Sequence, residues 1–396
     1  MIFQSIRHTI SESSRRWTGF LSVSPLLLFI PFTILFFSSP TPIPGGNHPS
    51  SSGKNSSQLT LLFIGDIMQH MPQVESAWNE SLKKYIYDST FQYVAPLISG
   101  YDFAIANLET TLAGKPYSGY PAFSSPDELV EGLLHAGVDI LGTANNHCCD
   151  RGKTGIERTI AILDSLGMKH LGTYRNQSEF LRNSPMILRK NGISIALLNY
   201  TFGTNNILIP DGDIVNLIEK DRLAHDLQAA IDLHPDKVIL FMHWGEEYQR
   251  EPNKFQKEIA SFCFDHGADI IIGSHPHVIQ QMNWYKADSL HKEKLVVWSL
   301  GNQVSNQRKR FTDGGAMAGI TLRKENGKTI IEHADYQLSW VYNPIRYGKK
   351  QYYILPVSKF ENDSLFMDRE SYNAFRIFIA DSRELLRSNV NVPEKH

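Results

Sequence analysis

The segment IIGSHPHVIQ, residues 271 to 280, places two histidines one residue apart, directly after an apolar run. That run and the Gly273-Ser274 pair behind it predict a buried strand that ends in a tight turn. His275 and His277 are therefore expected where a strand leaves its sheet, which is where open α/β sheets bind ligands. A single histidine pair near a strand end is more often a packing feature than a metal site, so the rest of the chain decides between the two.

Polar side chains also follow other predicted strands, at the point where each strand ends. Asp66 follows LLFIG, Asn107 and Glu109 follow FAIA, Asn145, Asn146 and His147 follow DILGTA, and His243 follows VILFM. If these strands are neighbours in one sheet, all of these side chains converge on a single crevice. Imidazole and carboxylate ligands together predict a site for one or two divalent cations, with Mn, Zn or Fe as candidates.

Each member of this set also has a structural explanation. Asp66 is a candidate helix N-cap, Glu109 and the asparagines are candidate turn residues, and His243 is a candidate core histidine. Unrelated coincidences at every one of these strand ends are less plausible than one shared site. The pattern therefore favours metal binding.

Short apolar runs alternate with amphipathic stretches from residue 58 onward. Strands are predicted at 59–66, 101–109, 138–147, 237–245 and 268–277, and helices at 127–137, 155–167 and 253–267. This alternation predicts an α/β domain in which helices cover a largely parallel sheet. Three more apolar runs, at 294–302, 316–324 and 328–338, follow one another without helices and predict a second sheet.

Composition limits the function classes. The 396 residues are 42% hydrophobic, which is enough for a sizeable core. Lys and Arg number 39 against 41 Asp and Glu, a net charge of -2, so the basic excess typical of nucleic-acid binding is missing and no nucleic acid is expected as a partner. Three cysteines, two of them adjacent, predict no structural disulfide.

The amino terminus differs from the rest of the chain. Residues 20–37 carry no charge and follow Arg15 and Arg16. This pattern predicts an uncleaved membrane-spanning anchor, with residues 1–19 in the cytoplasm and the remainder exported. A cleaved signal peptide is the alternative, although no small-residue cleavage site follows the run.

Residues 38–57 are mostly Ser, Pro, Gly and Asn, which predicts a flexible linker. The globular domain is predicted over 58–345. A C-terminal extension, 346–396, is expected to pack on that domain or to be partly disordered.

The motifs resemble, in order, those of the bacterial capsule synthesis CapA family, which comprises poly-γ-glutamate biosynthesis proteins with a PGA_cap domain in the calcineurin-like metallophosphoesterase superfamily. They are GDIM (65–68), NLE (107–109), ANNHCCDRGKTG (144–155), HWGEEY (243–248), GADIIIGSHPHVIQ (267–280) and SLGN (299–302). The resemblance covers roughly residues 58–305. It implies an α/β fold in which two β-sheets pack together and are flanked by helices.

The resemblance also implies roles for individual residues. Those implied to bind metal are Asp66, Glu109, Asn146, His243, His275 and His277. Glu109 stands where the superfamily places its bridging aspartate, and His147 matches the histidine that protonates a leaving group. Two cations would activate a water and stabilise charge on a tetrahedral or phosphoryl centre.

The chain departs from the superfamily pattern at two metal positions. Met68 stands where the D-x-H motif has its histidine, so one cation has one imidazole fewer, and His70 is a candidate replacement. Glu109 is longer by one methylene than the usual aspartate.

Substrate contacts are expected beside these motifs, from Asn107, Glu246, Tyr248, Asn302 and Arg308. The segment NQRKR, residues 306–310, places three positive charges where they can meet a polyanion such as poly-glutamate. A solvated loop is the structural alternative. For Cys148 and Cys149, small loop or core residues are expected.

The uncharged run 20–37 and the resemblance together predict a single-pass membrane protein whose main domain lies outside the cytoplasm. It would transfer or hydrolyse an amide or phosphoester bond of an anionic cell-surface polymer during capsule production, alongside other capsule-synthesis membrane proteins. Two alternatives stay open. One is a phosphoesterase acting on a small or lipid-linked phosphate, and the other is a non-catalytic, polymer-binding subunit of a capsule synthase.

Overall fold

The computed structural model describes residues 57–346 and 348–396. The strands are β1 (Ser57–Ile67), β2 (Trp78–Asn79), β3 (Lys84–Tyr85), β4 (Phe103–Leu108), β5 (Ile140–Gly142), β6 (Lys169–Leu171), β7 (Thr173–Tyr174), β8 (Met186–Lys190), β9 (Ile193–Thr201), β10 (Ile214–Val215), β11 (Lys237–His243), β12 (Ile270–Ser274), β13 (Met282–Tyr285), β14 (Lys294–Val297), β15 (Asn302–Val304), β16 (Gly314–Glu325), β17 (Lys328–Tyr342), β18 (Ile345–Arg346), β19 (Lys349–Lys350) and β20 (Tyr353–Pro356). The helices are α1 (Met71–Ala77), α2 (Asp88–Phe91), α3 (Ala95–Ile98), α4 (Glu128–His135), α5 (Gly152–Ser165), α6 (Gln177–Asn183), α7 (Lys220–Asp232), α8 (Lys254–Asp265), α9 (Val357–Phe360) and α10 (Arg369–Leu386).

The larger sheet has eight strands. Seven of them follow the order β20-β17-β16-β1-β4-β5-β6. The eighth, β15, pairs in parallel with the end of β1. The strands β1, β4, β5 and β6 run parallel to one another, whereas the pairs β1–β16, β16–β17 and β17–β20 are antiparallel. The long carboxyl-terminal strands therefore extend the first sheet, so the expectation that 316–324 and 328–338 belong to a second sheet was wrong.

The second sheet has six strands in the order β13-β14-β12-β11-β9-β8. Its four central strands are parallel and its two edge strands are antiparallel. Because β11 and β12 lie here while β1, β4 and β5 lie in the larger sheet, the strands that carry the predicted ligands are not neighbours in one sheet. The predicted crevice instead lies between the ends of two sheets.

Alternating side chains of β1 explain how the two sheets pack. Leu59, Leu61 and Phe63 join one buried cluster with apolar residues of β9, β11 and β12, whereas Leu62 and Ile64 join a cluster on the other face with apolar residues of α4 and α5. A third cluster joins the outer face of the second sheet to α7 and α8. The expected fold, two packed sheets flanked by helices, is confirmed.

A close approach of two backbones fixes the end of β1 beside β15. A Cβ atom at Gly65 would lie 2.1 Å from the carbonyl oxygen of Gly301, a distance that only glycine permits. The next residue, Asp66, donates its backbone N–H to that carbonyl at 3.0 Å. This contact holds Asp66 at the edge where both sheets end.

The predicted anchor and most of the predicted linker lie outside the described residues. Among the residues that the structure describes, no helix is long and apolar enough to cross a membrane. After residue 345, β20 pairs with β17 at the edge of the larger sheet, and Phe375 and Phe378 of α10 join the buried cluster between the sheets. The cysteines are free and buried.

Candidate metal centre

The predicted ligands come together from the ends of both sheets. Asp66 is the penultimate residue of β1, and Glu109 directly follows β4. His243 ends β11, and His275 follows β12. They form two candidate metal-binding groups, one of Glu109, His243 and His275 and the other of Asp66, Glu109 and His277. Within each group, one ligand atom per residue lies within 4.8 Å of the others. Glu109 belongs to both groups, so its carboxylate lies between them.

Nε2 of His243 is the focus of the first group. It lies 2.8 Å from Oδ1 of Asn146, 3.1 Å from Nδ1 of His275 and 3.7 Å from Oε1 of Glu109. Asn146 also donates from Nδ2 to the side chain of Asn205, so its Oδ1 faces His243. Two imidazoles, an amide oxygen and a carboxylate therefore surround one point, as ligands of a divalent cation do.

His277 is the focus of the second group. Its Nδ1 lies 3.2 Å from Oδ2 of Asp66, and its Nε2 lies 3.7 Å from Oε1 of Glu109. This group has two carboxylates and one imidazole, a harder ligand set than the first. Among the described residues, neither group includes His70, whose Nδ1 lies 3.2 Å from Oε1 of Gln73 and accepts the backbone N–H of Asn306.

The protonation tendencies of these residues fit a bound cation. Oε1 of Glu109 is buried and has no hydrogen-bond partner among the described residues. Burial, and then the neighbouring Asp66 carboxylate, raise the pKa of Glu109 well above its usual value. Burial, and then the neighbouring histidines, lower the pKa of His243 and of His275 well below the usual value. Neutral imidazoles beside crowded carboxylates are the ligand forms that a divalent cation stabilises.

The loop that carries the histidine pair has an uncommon backbone. His275 has φ 98° and His277 has φ 58°, in the left-handed region where side chains other than that of glycine are rare. Before them, a Cβ at Gly273 would lie 2.0 Å from the carbonyl oxygen of Trp298. Uncommon backbone conformations of this kind occur at functional sites, where the surrounding structure holds them in place.

Neighbouring polar side chains orient the ligands. Ser274 Oγ lies 3.0 Å and Asn107 Nδ2 lies 3.2 Å from Nδ1 of His243, so both side chains orient the ring and leave Nε2 as the ligand atom. Asn107, predicted to contact substrate, instead donates from Nδ2 to Oδ1 of Asp66 at 2.8 Å. Asn145 donates to the carbonyl of Leu108 at 2.8 Å, which ties the chain after β5 to the end of β4.

His147 is paired with an acid that the motif resemblance did not single out. Its Nδ1 lies 2.8 Å from Oδ2 of Asp150, and both side chains are buried. The same carboxylate oxygen accepts the backbone N–H of Phe123, whose ring centroid lies 4.7 Å from that of His147. Since Asp150 engages Nδ1, Nε2 is the nitrogen available for proton exchange. The three-residue spacing within the HCCD segment was the available signal.

Tyr248 and Lys309 lie at the rim of the centre. Tyr248 is 37% exposed, its ring centroid is 6.2 Å from that of His277, and its N–H donates to the carbonyl of Pro276. Burial, and then the adjacent Glu247, raise the pKa of Tyr248 to about 12, so its hydroxyl stays protonated at neutral pH. Nζ of Lys309 lies 4.4 Å from the Tyr248 ring centroid. The rim therefore has one cation and one hydroxyl donor.

The other predicted substrate contacts are engaged elsewhere. Glu246 accepts from Asn253, the N-cap residue of α8. Asn302 pairs through its backbone with Asp66, while its side chain donates to the carbonyl of Thr312. Nη1 of Arg308 donates to the carbonyl of Val341 at 2.8 Å.

Comparisons with known proteins agree with the motifs. The family model of the bacterial capsule synthesis protein PGA_cap matches residues 60–307. The capsule biosynthesis protein CapA of Bacillus anthracis is 28% identical over 292 residues, which make up 70% of this chain and 67% of that protein. The PGA biosynthesis protein CapA of Bacillus subtilis (strain 168) is 28% identical over 279 residues, 69% of this chain and 70% of that protein.

Among solved structures, the calcineurin-like phosphoesterase YfkN of Bacillus subtilis aligns with a TM-score of 0.40 and 14% identity, covering 84% of this chain and 100% of that one. The family model alone spans more than half of the chain, and it covers every motif that carried the resemblance. The chain belongs to the bacterial capsule synthesis protein PGA_cap family.

Proposed function

We propose that this protein is a metal-dependent enzyme of capsule production that transfers or hydrolyses a bond of an anionic cell-surface polymer such as poly-γ-glutamate. The observation that carries the proposal is the position of Glu109 in both ligand groups, with a buried carboxylate oxygen that has no hydrogen-bond partner among the described residues. Glu109 and the other members of the two groups would hold one or two divalent cations of Mn, Zn or Fe. Family membership supports the link to capsule production.

Cations held by these groups would polarise the scissile carbonyl or phosphoryl group and activate a water. His147 would donate a proton from Nε2 to the leaving group, while Asp150, whose Oδ2 lies 2.8 Å from Nδ1, would orient the ring. Phe123 packs edge-on against the His147 ring and fixes its plane. Tyr248 would donate its hydroxyl proton to a substrate oxygen at the rim.

A groove supports a long anionic substrate. It has a volume of about 1110 Å³ and is lined by the rings of Trp78, Tyr85 and Tyr117, whose successive centroids lie 5.1 and 5.3 Å apart. The lysines that line it are Lys115, Lys349 and Lys350. Tyr117 lines the groove and Phe123, on the same loop, contacts His147. Ammonium groups beside aromatic rings would bind a chain of carboxylates joined by aliphatic segments.

The location belongs to the same proposal. The uncharged run 20–37, preceded by arginines, would anchor the protein in the cytoplasmic membrane as a single pass and leave the metal centre outside the cytoplasm. Other capsule-synthesis membrane proteins would be its partners there. Fractionation of cells that express the full chain, with and without residues 1–37, tests the anchor. Release of only the shortened chain into the soluble fraction supports it, and membrane retention of both contradicts it.

The enzymatic proposal is tested with the full chain in detergent, loaded with Mn and mixed with poly-γ-glutamate of defined length. We expect a change in polymer length by light scattering that requires both the cation and His147, with His147→Ala as the control. Turnover of an aryl phosphate without any change in the polymer would favour the phosphoesterase alternative. Tight polymer binding with neither activity would favour the binding subunit.

A further inference from the structure

A second cavity, distinct from the metal centre, lies against α10. Its volume is about 270 Å³, and its lining includes the side chains of Arg250, Arg308 and Arg310. The last two belong to the loop between β15 and β16, whereas Asp381 of α10 lines the opposite side. Three guanidinium groups therefore share this cavity with the carboxylates of Asp313 and Asp381.

Two of these guanidinium groups have buried N–H donors with no acceptor. Arg308 uses Nη1 to donate to the carbonyl of Val341 at 2.8 Å, and Arg250 uses Nη2 to donate to the carbonyl of Asp381 at 2.7 Å. Nε and Nη2 of Arg308 and Nε of Arg250 are buried without a partner among the described residues. A buried donor of a charged group that has no acceptor is destabilising, so these three N–H groups are suited to bind an acceptor that enters the cavity.

The carboxylates of the cavity are already engaged. Both oxygens of Asp381 accept from Arg310, at 2.9 and 2.8 Å. Asp313 accepts from Nε1 of Trp340 at 2.7 Å. The protein thus supplies acceptors to Arg310 and leaves the charges of Arg250 and Arg308 only partly balanced. Burial lowers the pKa of Arg250 and of Arg308, and the nearby carboxylates of Asp381 and Asp313 only partly offset this effect.

The aromatic ring of Phe311 packs against two of the three guanidinium groups. The guanidinium of Arg250 lies 4.2 Å from the ring centroid of Phe311, and that of Arg310 lies 5.2 Å from it. Phe311 has φ 78°, a left-handed conformation that is uncommon for an aromatic residue. The loop therefore adopts a strained backbone at the residue whose ring contacts two arginines, as is typical of ligand-binding loops.

We infer that this cavity binds an oxyanion, a phosphate or carboxylate group, through the free N–H donors of Arg250 and Arg308. The planar fork of a guanidinium matches two oxygens of either group. The inference is independent of the proposed function, since no member of the two metal-binding groups lines this cavity. Arg308, which the sequence placed beside the substrate, would serve this second site, whereas its neighbour Lys309 contacts Tyr248 at the rim of the metal centre.

The test measures anion binding by calorimetry on the full chain in detergent at constant ionic strength. Inorganic phosphate and glutarate are the two probes, and an Asp66→Ala background with chelator removes binding at the metal centre. We expect saturable binding of at least one probe, weakened by about 10-fold or more in Arg308→Gln and in Arg250→Gln, the effect of losing a charge-assisted hydrogen bond. Arg376→Gln, an exposed position on α10, is the matched control and should bind as the parent does.

Preference for phosphate or for glutarate would identify the oxyanion class, and either supports the inference. Absence of saturable binding for both probes overturns it. So does equal affinity in the parent and in both folded glutamine variants. If Arg308→Gln fails to fold, the binding measurement is made with Arg250→Gln and Arg308→Lys instead. Lysine keeps the positive charge but lacks the paired N–H donors of a guanidinium.

Discussion

Nε2 of His243, at the end of β11, lies 2.8 Å from Oδ1 of Asn146, which follows β5 in the other sheet. The two residues are 97 positions apart and meet only because the sheets are packed face to face. The first ligand group therefore depends on the core between the sheets. A change in that core is expected to affect both the free energy of unfolding and the binding of metal.

Phe63→Ala tests this dependence. Phe63 and Phe241 are fully buried, and their rings meet edge-on across the sheets with centroids 5.9 Å apart. Removing one ring leaves a cavity and is expected to lower the free energy of unfolding by about 3–5 kcal/mol. Denaturant titration measures the change, with Phe255→Ala, at a residue 39% exposed, as the control. A loss below about 1 kcal/mol would show that this contact does not hold the sheets together.

Glu109→Gln separates metal binding from folding. Because burial and Asp66 raise the pKa of Glu109, its ionised form is penalised in the folded, metal-free chain, and glutamine mimics the protonated form. With chelator at pH 7, the variant should be at least as stable as the parent in thermal unfolding. With excess Mn, only the parent should gain stability, by about 2.7 kcal/mol at 100 times the dissociation constant. An equal gain in both chains would exclude Glu109 as a ligand.

Much of the fold and the site follows from local sequence signals. The apolar runs before Asp66, His243 and His275 are visible in the sequence, and so are the polar residues that end them. The assignment of strands to sheets is not visible, because β1 and β16 pair across more than 240 residues and an apolar run does not name its partner. That is why the convergence was expected within one sheet and occurs between two.

Asp150→Asn tests the positioning of the proposed acid. The variant should keep its metal, since Asp150 belongs to neither ligand group, but it should lose turnover, by up to the roughly 10²- to 10⁴-fold expected for His147→Ala. The loss should appear in kcat with KM little changed, because the imidazole ring loses the carboxylate that orients it. A loss of bound metal, or a rise in KM as large as the fall in kcat, would instead indicate a structural role in the loop.

Lys309→Ala tests the charge at the rim. Its ammonium group lies 4.4 Å from the Tyr248 ring centroid, where an anionic polymer would pass. We expect poly-γ-glutamate to bind about 2- to 5-fold more weakly at low salt, with the difference vanishing at high salt. Lys328→Ala is the matched control, since Lys328 is exposed at the hairpin between β16 and β17, far along the sheet from Asp66. Equal weakening by both substitutions would indicate only a general charge effect.

Side-chain direction was the other feature that the sequence could not supply. Arg308 and Lys309 are adjacent in one basic segment, yet Arg308 donates to the carbonyl of Val341 and Lys309 contacts Tyr248. Which way each points depends on the turn between β15 and β16 and on Phe311, whose φ of 78° has no signature in the residue types. The pairing of Asp150 with His147 likewise depends on how the HCCD turn folds.

The most direct test of the central claim is metal content, measured by mass spectrometry on the full chain purified without chelator, beside Asp66→Ala and His275→Ala. These two residues belong to different ligand groups that share Glu109. We predict between one and two equivalents of a transition metal in the parent and a loss in each variant. A parent chain that is metal-free, and remains so after incubation with Mn or Zn, would contradict the metal centre and leave a polymer-binding subunit as the better account.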